Sequence, residues 1–170
     1  MRLFIGIKLD EVAHKKVMGI MDNLYSQGFR GNFTNKNNIH LTLAFLGDVD
    51  ENKVDELIDI INTKDIWEND KTNTLNITKV KTLKDMIVLE VELTKQLQEL
   101  QAKLANKLKN KGYKLENRPY YPHITLVRQY TSITNKQMEN MEIDIKSNFE
   151  KIILFESKRI RKDLVYISLN

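Results

Sequence analysis

The second half of the chain repeats the first, and this internal repeat constrains the fold more than any single motif. At an offset of 84 residues, the alternating apolar residues of 3–9 align with those of 87–93, and Gly28 aligns with Gly112. The alternation predicts a strand, and the helical periodicity that follows predicts an amphipathic helix ending at each glycine. Two unrelated strand-helix units would also align loosely, so these elements alone do not establish a duplication.

A pair of histidine motifs extends the repeat and makes chance a poor explanation. Two of the three histidines begin nearly identical tetrapeptides, His-Leu-Thr-Leu at His40 and His-Ile-Thr-Leu at His123, which are 83 residues apart. The third, His14, falls in the first predicted helix, where a surface position is expected. We therefore expect a single domain over residues 1–170 that is made of two repeat-related lobes.

Hydrophobic patterns and turn residues place the other elements around these motifs. Asp10 and Thr94 are the expected N-caps of the two repeated helices. A third amphipathic helix is expected around residues 54–61, and the first half is expected to end near Asp70. The predicted strands lie at residues 3–9, 39–46, 73–82, 86–93, 123–129, 150–157 and 164–169.

The composition excludes several kinds of chemistry. The chain has no cysteine, which rules out disulfides, a thiol nucleophile and cysteine-ligated zinc or iron–sulfur centres. Its 27 basic and 23 acidic residues give a net charge of +4, which permits an anionic partner without requiring one. No stretch approaches a signal-peptide core or the ~18 apolar residues of a membrane helix. We expect a cytoplasmic monomer that does not associate with membranes.

Strand geometry predicts that the first motif presents its histidine and threonine on one face, because residues i and i+2 of a strand point the same way. His40 and Thr42 should share this polar face with Asn38 and Ala44. The apolar stripe on the opposite face should end with Phe45.

In the second motif, Tyr121, His123 and Thr125 should likewise share one face. If the two halves are related by approximate twofold symmetry, the two faces that carry histidine and threonine would meet across a groove.

Two imidazoles and two hydroxyls that face each other suit metal-independent hydrolysis of a phosphodiester. A neutral imidazole can take a proton from water while a protonated one gives a proton to the departing oxygen. Threonine hydroxyls can donate hydrogen bonds to the non-bridging phosphate oxygens. The alternatives are a pair of core histidines bonded to neighbouring hydroxyls, and a zinc site, for which the motifs supply neither a third histidine nor an HExxH sequence.

The paired motifs resemble the HxTx motifs of the two-histidine (2H) phosphoesterase superfamily, and their neighbourhood is similar to its RNA 2',3'-cyclic phosphodiesterase branch, also called 2'-5' RNA ligases. The residues that carry this similarity span nearly the whole chain: Arg2-Leu3-Phe4-Ile5, Phe45-Leu46-Gly47-Asp48, Arg118-Pro119, Pro122, Arg128, and Leu154-Phe155-Glu156-Ser157 through Tyr166. One segment departs from the family pattern, because Asp163-Leu164-Val165 stands where a glycine often precedes the tyrosine.

The resemblance implies an α+β fold that is bilobal and pseudo-twofold, with two antiparallel sheets and flanking helices around a central cleft. It implies hydrolysis of RNA 2',3'-cyclic phosphate ends to 2'-phosphomonoesters, with no cofactor. His40 matches the family's proton donor and His123 its proton acceptor. The residues that match its phosphate contacts are Thr42, Thr125 and Arg128. Strict alternation would turn Arg128 away from His123, so its role requires a bulge or the end of the strand.

Two further features could contact RNA 3' ends or nucleotides that carry a cyclic phosphate. Tyr120 and Tyr121, beside the second motif, are candidates to stack on a terminal base, and packing of the loop that leads to the motif is the alternative. Basic residues cluster at 107–114 and at 158–162, where they either bind an RNA backbone or form a solvated surface.

Three other functions would use the same residues. The substrate could be a cyclic phosphate on a small nucleotide. It could instead be a 2'-5' linkage, which the protein could also form in reverse. The third alternative is a non-catalytic module that binds RNA ends and grips phosphate without turnover.

Overall fold

A computed structural model describes residues 1–66 and 73–170. The predicted end of the first half, near Asp70, lies outside the described residues. The strands are β1 (Arg2–Ile7), β2 (Phe29–Phe33), β3 (Leu41–Asp48), β4 (Thr74–Leu83), β5 (Met86–Val91), β6 (His123–Ser132), β7 (Met141–Asn148), β8 (Ile153–Ile160) and β9 (Asp163–Ser168). The α-helices are α1 (Glu11–Ser26), α2 (Val54–Ile61) and α3 (Lys95–Asn110), and short 3₁₀ turns lie at Lys36–Asn38, Glu51–Lys53 and Lys64–Ile66.

The strands form two sheets, and every neighbouring pair within them is antiparallel. The smaller sheet has the order β3-β1-β8-β9, and the larger has the order β2-β6-β5-β4-β7. In each sheet, the strand that carries a histidine motif lies beside a strand that the sequence repeat predicts. These pairs are β3 beside β1 and β6 beside β5. The predicted α+β architecture with two antiparallel sheets is therefore confirmed.

The two helices that the repeat predicts have matching bounds and caps in the structure. Helices α1 and α3 both have 16 residues, and each bound of α3 lies 84 positions after that of α1. The side chains of Asp10 and Thr94 cap them, and each accepts a hydrogen bond from the backbone N–H three residues on. Gly28 and Gly112 follow the helices with φ of +98° and +92°, a left-handed conformation that glycine adopts without strain.

The helices connect the two halves by packing across the repeat. Helix α1 follows β1 of the smaller sheet but contacts β2 and β7 of the larger one. Helix α3 follows β5 of the larger sheet but contacts β3 of the smaller one, and α2 contacts β8. One buried apolar core includes Leu3 and Ile5 from β1 together with Ile87 and Leu89 from β5. Alternation leaves Phe4 of β1 on the opposite face, where the first histidine motif lies.

Several element bounds differ from the prediction. Strands β2 and β7 were not predicted; both lie at edges of the larger sheet, and the pattern of β2 is interrupted by Gly31 at φ +144°. Strand β3 begins at Leu41, so His40 lies just before it, and β6 runs on to Ser132 because it pairs with β2. Strand β1 ends at Ile7, three residues before the cap of α1. The C-terminal hairpin, β8 with β9, is confirmed with slightly shifted bounds.

No helix in the part of the chain that the structure describes is long and apolar enough to cross a membrane.

Candidate active site

The two motif histidines are held by equivalent hydrogen bonds. Nδ1 of His40 lies 2.7 Å from the carbonyl oxygen of Asn38, and Nδ1 of His123 lies 2.8 Å from that of Tyr121. Asn38 and Tyr121 occupy equivalent positions, each two residues before its histidine. A carbonyl only accepts, so in each ring Nδ1 carries the donated proton. The neutral form of each imidazole therefore has its lone pair on Nε2, the atom that is left for chemistry.

A β-bulge at Leu126 sets the direction of Arg128. Thr125 pairs with Val88 on β5 and Val127 pairs with Ile87, so Leu126 has no partner on that strand. Leu126 and Val127 are both fully buried, although they are consecutive. The alternation is thereby shifted by one residue, and Arg128 points to the same face as His123 and Thr125. The bulge that the predicted role of Arg128 requires is present.

An equivalent bulge in β3 corrects two predictions about the first motif. Thr42 pairs with Gly6 and Ala44 pairs with Ile5, so Leu43 has no partner on β1. Ala44 was expected on the polar face with His40, but it is buried. Phe45 was expected on the apolar stripe, but its side chain is 42% exposed and packs under the guanidinium of Arg2. The bulge exchanges the faces of these two residues.

Asn38 was also expected to continue a wet polar face, and the structure shows that it is buried instead. Its side-chain Nδ2 donates to the carbonyl of Leu164, and its Oδ1 accepts from the backbone N–H of Tyr166. Both partners lie on β9. The side chain of Asn38 therefore bonds its segment, which orients His40, to β9 at the edge of the smaller sheet.

Aromatic rings enclose His40. The ring centre of His40 lies 4.9 Å from that of Phe4, 6.0 Å from that of Phe155 and 5.2 Å from that of Tyr166. Burial among these rings is the main cause that lowers the pKa of His40, because it disfavours the charged form. The positive charges of Arg128 and His123 lower it further. The bond to Asn38 acts in the opposite direction.

We predict that the lowered pKa of His40 makes the protein less stable in mild acid. Above the unfolded pKa of about 6.5, His40 is neutral in both states; below it, the unfolded chain takes up a proton that the native state resists, so the free energy of unfolding falls. Urea unfolding at pH 7.5 and 5.5 measures this loss. It should be smaller in His40→Gln than in the parent, and an equal loss in the two proteins would contradict the prediction.

His123 has more polar surroundings than His40. The ring of Tyr121 stacks on the imidazole of His123 with centres 5.2 Å apart, and the ammonium of Lys81 lies 5.6 Å from the centre of the Tyr121 ring. Contact with Tyr121 is the main cause that raises the pKa of Lys81. Glu90 pairs with His123 on the adjacent strand and lies 3.6 Å from the ammonium of Lys81. Tyr121 can stack on a base only with the face that is turned away from His123.

Hydroxyl groups tie each motif to the other half of the chain. The hydroxyl of Tyr120, just before the second motif, donates to the carbonyl of Thr42 at 2.7 Å. Reciprocally, the hydroxyl of Thr34, before the first motif, donates to the carbonyl of Thr125 at 2.8 Å. Burial raises the pKa of Tyr120, which keeps this donor protonated. Tyr120, which was weighed beside Tyr121 as a stacking residue, instead links the two motifs.

Removing the Tyr120 hydroxyl should destabilise the protein and loosen the site together. We expect Tyr120→Phe to lower the free energy of unfolding by about 1–3 kcal/mol, because the carbonyl of Thr42 loses a buried donor. Denaturant unfolding gives this value, and Tyr121→Phe is the matched control, with an expected change under about 0.5 kcal/mol for a surface position. Equal effects of the two substitutions would contradict a link through Tyr120.

Sequence patterns did not indicate several residues of this site. The aromatic enclosure of His40 comes from β1, β8 and β9, and no local spacing relates these strands to the motif. The roles of Thr34, Lys81 and Glu90 depend on contacts between distant segments. The available signal in the sequence was the repeat itself. Two equivalent positions, each two residues before a histidine, predict equivalent hydrogen bonds from their carbonyls to Nδ1.

Other predicted features lie outside the two motifs. Nε2 of His14 donates to the carbonyl of Lys36, so this ring fixes a turn of the chain rather than standing free on the surface. The basic cluster 107–114 lies at the end of α3, and 158–162 forms the tip of the hairpin between β8 and β9. Among the described residues, no three side chains of the metal-binding types converge on one point.

Comparison with known proteins gives consistent matches. A family model described as the 2'-5' RNA ligase superfamily matches residues 23–156. An RNA 2',3'-cyclic phosphodiesterase of Thermotoga maritima is 31% identical over 147 residues, which are 84% of this chain and 78% of that protein. One of the same name from Methanocaldococcus jannaschii is 29% identical over 136 residues, 75% of this chain and 71% of that protein. Among solved structures, E. coli LigT complexed with 3'-AMP has a TM-score of 0.76 at 23% identity, covering 99% of this chain and 95% of that one.

Proposed function

Because the chain belongs to the 2'-5' RNA ligase superfamily, we propose that it hydrolyses the 2',3'-cyclic phosphate at an RNA end to a 2'-phosphomonoester. The resemblance inferred from the paired motifs is thereby confirmed at the level of the family. The activity agrees with the names of the bacterial and archaeal relatives. We further propose that the two lobes act as one domain, without a metal.

One observation carries the proposal: the two repeated histidines are oriented alike, and hydrogen bonds between the two halves of the chain join their motifs. Each imidazole has its Nδ1 bonded to a carbonyl, which leaves Nε2 to exchange protons. His123 and Arg128 both act on the pKa of His40. Two proton-exchanging atoms and a guanidinium are what an in-line displacement at phosphorus needs.

In the proposed reaction, neutral His123 removes a proton from water through Nε2 as the water oxygen attacks phosphorus. The new bond joins that oxygen to phosphorus, and the bond from phosphorus to the 3' oxygen breaks. Protonated His40 gives its Nε2 proton to the departing 3' oxygen, which becomes a hydroxyl. His123 ends protonated and His40 neutral, and exchange with solvent restores the starting forms.

The threonines and Arg128 are proposed to bind the phosphate. In the free protein the hydroxyl of Thr42 lies 2.8 Å from Nε2 of His40, and it can turn to donate to a non-bridging phosphate oxygen once substrate is bound. Thr125 shares the face of His123 in the same way. Arg128 would offset the charge that develops on the non-bridging oxygens.

The proton-donor role of His40 depends on the substrate. The lowered pKa of His40 favours the neutral ring in the free protein. A bound phosphodiester brings a negative charge beside the imidazole, which favours the charged form and raises its pKa. Binding of the substrate anion is therefore proposed to load His40 with the proton that it later donates.

The test is turnover of a short RNA that ends in a 2',3'-cyclic phosphate, with EDTA present. We expect a product with a 2'-phosphate and a 3'-hydroxyl, and a bell-shaped dependence of rate on pH. No turnover by the folded protein would refute the proposal. The same assay with 2'-5'-linked dinucleotides tests the activity for which the family is named, and binding of the RNA end without any turnover would identify a binding module.

A further inference from the structure

A cavity of about 250 Å³ adjoins the enclosure of His40. Tyr166 belongs to both, because its ring meets the imidazole of His40 edge-on and also lines the cavity. The other residues that line it come from the end of β1, from α1 and from the 3₁₀ turn before β3: Lys8, Leu9, His14, Lys36, Asn37 and Ile39.

The lining combines positive charge with an apolar surface. It includes the lysines Lys8 and Lys36 and no acidic residue. Neither lysine forms a salt bridge with any residue that the structure describes. Leu9, Ile39 and the ring of Tyr166 form the apolar part, which suits the carbon skeleton of a ribose. Such a lining favours an anion attached to a sugar over a free hydrophobic ligand.

Both lysines are exposed, and the segments that carry them adjoin the first histidine motif. The ammonium of Lys8 lies 5.7 Å from the ring centre of Phe155, one of the rings that enclose His40. The turn that carries Lys36 is fixed on one side by His14, which bonds its carbonyl. On the other side, Asn38 bonds this turn to β9. The cavity is thus built from the same elements that orient His40.

Resting on the proposed function, we propose that this cavity binds the 5' phosphate of the terminal nucleotide, which in an RNA strand is the linkage to the preceding nucleotide. Lys8 and Lys36 contact this phosphate while the cyclic phosphate lies between the two histidines. The volume is below the ~300–1,000 Å³ of sites for drug-sized ligands, so it suits one phosphate with part of a sugar. The site therefore favours RNA ends over free nucleoside 2',3'-cyclic phosphates.

The test compares kcat/KM for two substrates, a nucleoside 2',3'-cyclic phosphate with a 5'-hydroxyl and the same compound with a 5'-phosphate. In the parent, the 5'-phosphate should raise kcat/KM by about tenfold, as expected for a phosphate that gains charge-assisted bonds. In the double variant Lys8→Ala/Lys36→Ala, the ratio of the two values should approach one. Lys53→Ala/Lys95→Ala is the matched control, because it removes the same charge from exposed positions beside α2 and on α3.

An unchanged ratio in Lys8→Ala/Lys36→Ala would overturn the inference, as would an equal drop in the control. If the parent hydrolyses neither these compounds nor the short RNA with a 2',3'-cyclic end, the proposed function fails, and binding decides the inference separately. A fluorescent RNA ending in a 2'-phosphate should then bind the Lys8/Lys36 variant about tenfold more weakly than the control, with a salt dependence whose slope is smaller by about 0.7. Equal affinity and slope in the two variants would refute the phosphate site.

Discussion

Replacing either His40 or His123 with alanine is expected to lower kcat on a 2',3'-cyclic RNA end by about 10²–10⁴-fold, the usual contribution of a general acid or base. Each ring handles its proton only in the transition state, so affinity for the 2'-phosphate product should change by less than about tenfold. Steady-state kinetics and product binding, measured on the same preparations, separate the two effects.

The double variant His40→Ala/His123→Ala provides a further check. When two residues act as a unit, the effects of replacing them are not additive. The kcat of the double variant should therefore be only slightly lower than that of the less active single variant. Losses that multiply would indicate independent roles. Activity of either single variant within about tenfold of the parent would contradict acid-base catalysis by the pair.

Replacing Arg128 should affect both the rate and its pH dependence. Arg128→Gln should lower kcat/KM by about 10²–10³-fold, the size expected when one electrostatic contact to the transition state is lost. Removing this positive charge also raises the pKa of His40, because Arg128 is one of the causes that lower it. If His40 is the proton donor, the high-pH limb of kcat/KM should move to higher pH.

Arg128→Lys separates charge from geometry. A lysine keeps the charge and should leave the high-pH limb in place, while the loss of the planar fork still lowers the rate. Arg118→Gln is the matched control, because it removes an exposed guanidinium. In the parent, Arg118 forms a salt bridge with Glu116. A limb that fails to move in Arg128→Gln, or that moves equally in Arg118→Gln, would contradict the coupling between Arg128 and His40.

The repeat was predictable because its signals are local. Asp10 and Thr94 have side chains that can cap a helix, and Gly28 and Gly112 can adopt the left-handed conformation that ends one. These residues fix helix ends within a few positions, whatever the rest of the chain does. Strand β7 was missed because an edge strand that is half exposed depends on its partner, here β4, rather than on its own apolar pattern.

The face of each residue after the motifs could not be predicted by alternation. The bulges at Leu43 and Leu126 arise from the register with β1 and β5, and a single motif contains no information about that register. The sequence could state only that Arg128 needs such an irregularity. The same limit explains why Ala44 and Phe45 were assigned to the wrong faces.

The difference between the two histidines also arises from contacts distant in sequence. The tetrapeptides are nearly identical, so the sequence alone suggests equivalent rings. The structure half-buries His40 among Phe4, Phe155 and Tyr166, while His123 has Tyr121 on one side and Glu90 on the adjacent strand. This asymmetry gives the two rings different electrostatic surroundings. In the free protein it favours neutral His40, so the proposed donor role depends on the negative charge that the substrate brings.

The division of roles is tested most directly by a substrate whose leaving group needs no proton. In an RNA end with sulfur in place of the 3' bridging oxygen, the departing thiolate is stable without protonation. We predict that His40→Ala hydrolyses this substrate within about tenfold of the parent, whereas His123→Ala remains inactive, because water still needs a base. Recovery by His123→Ala alone would reverse the two roles, and recovery by neither variant would contradict proton donation to the 3' oxygen.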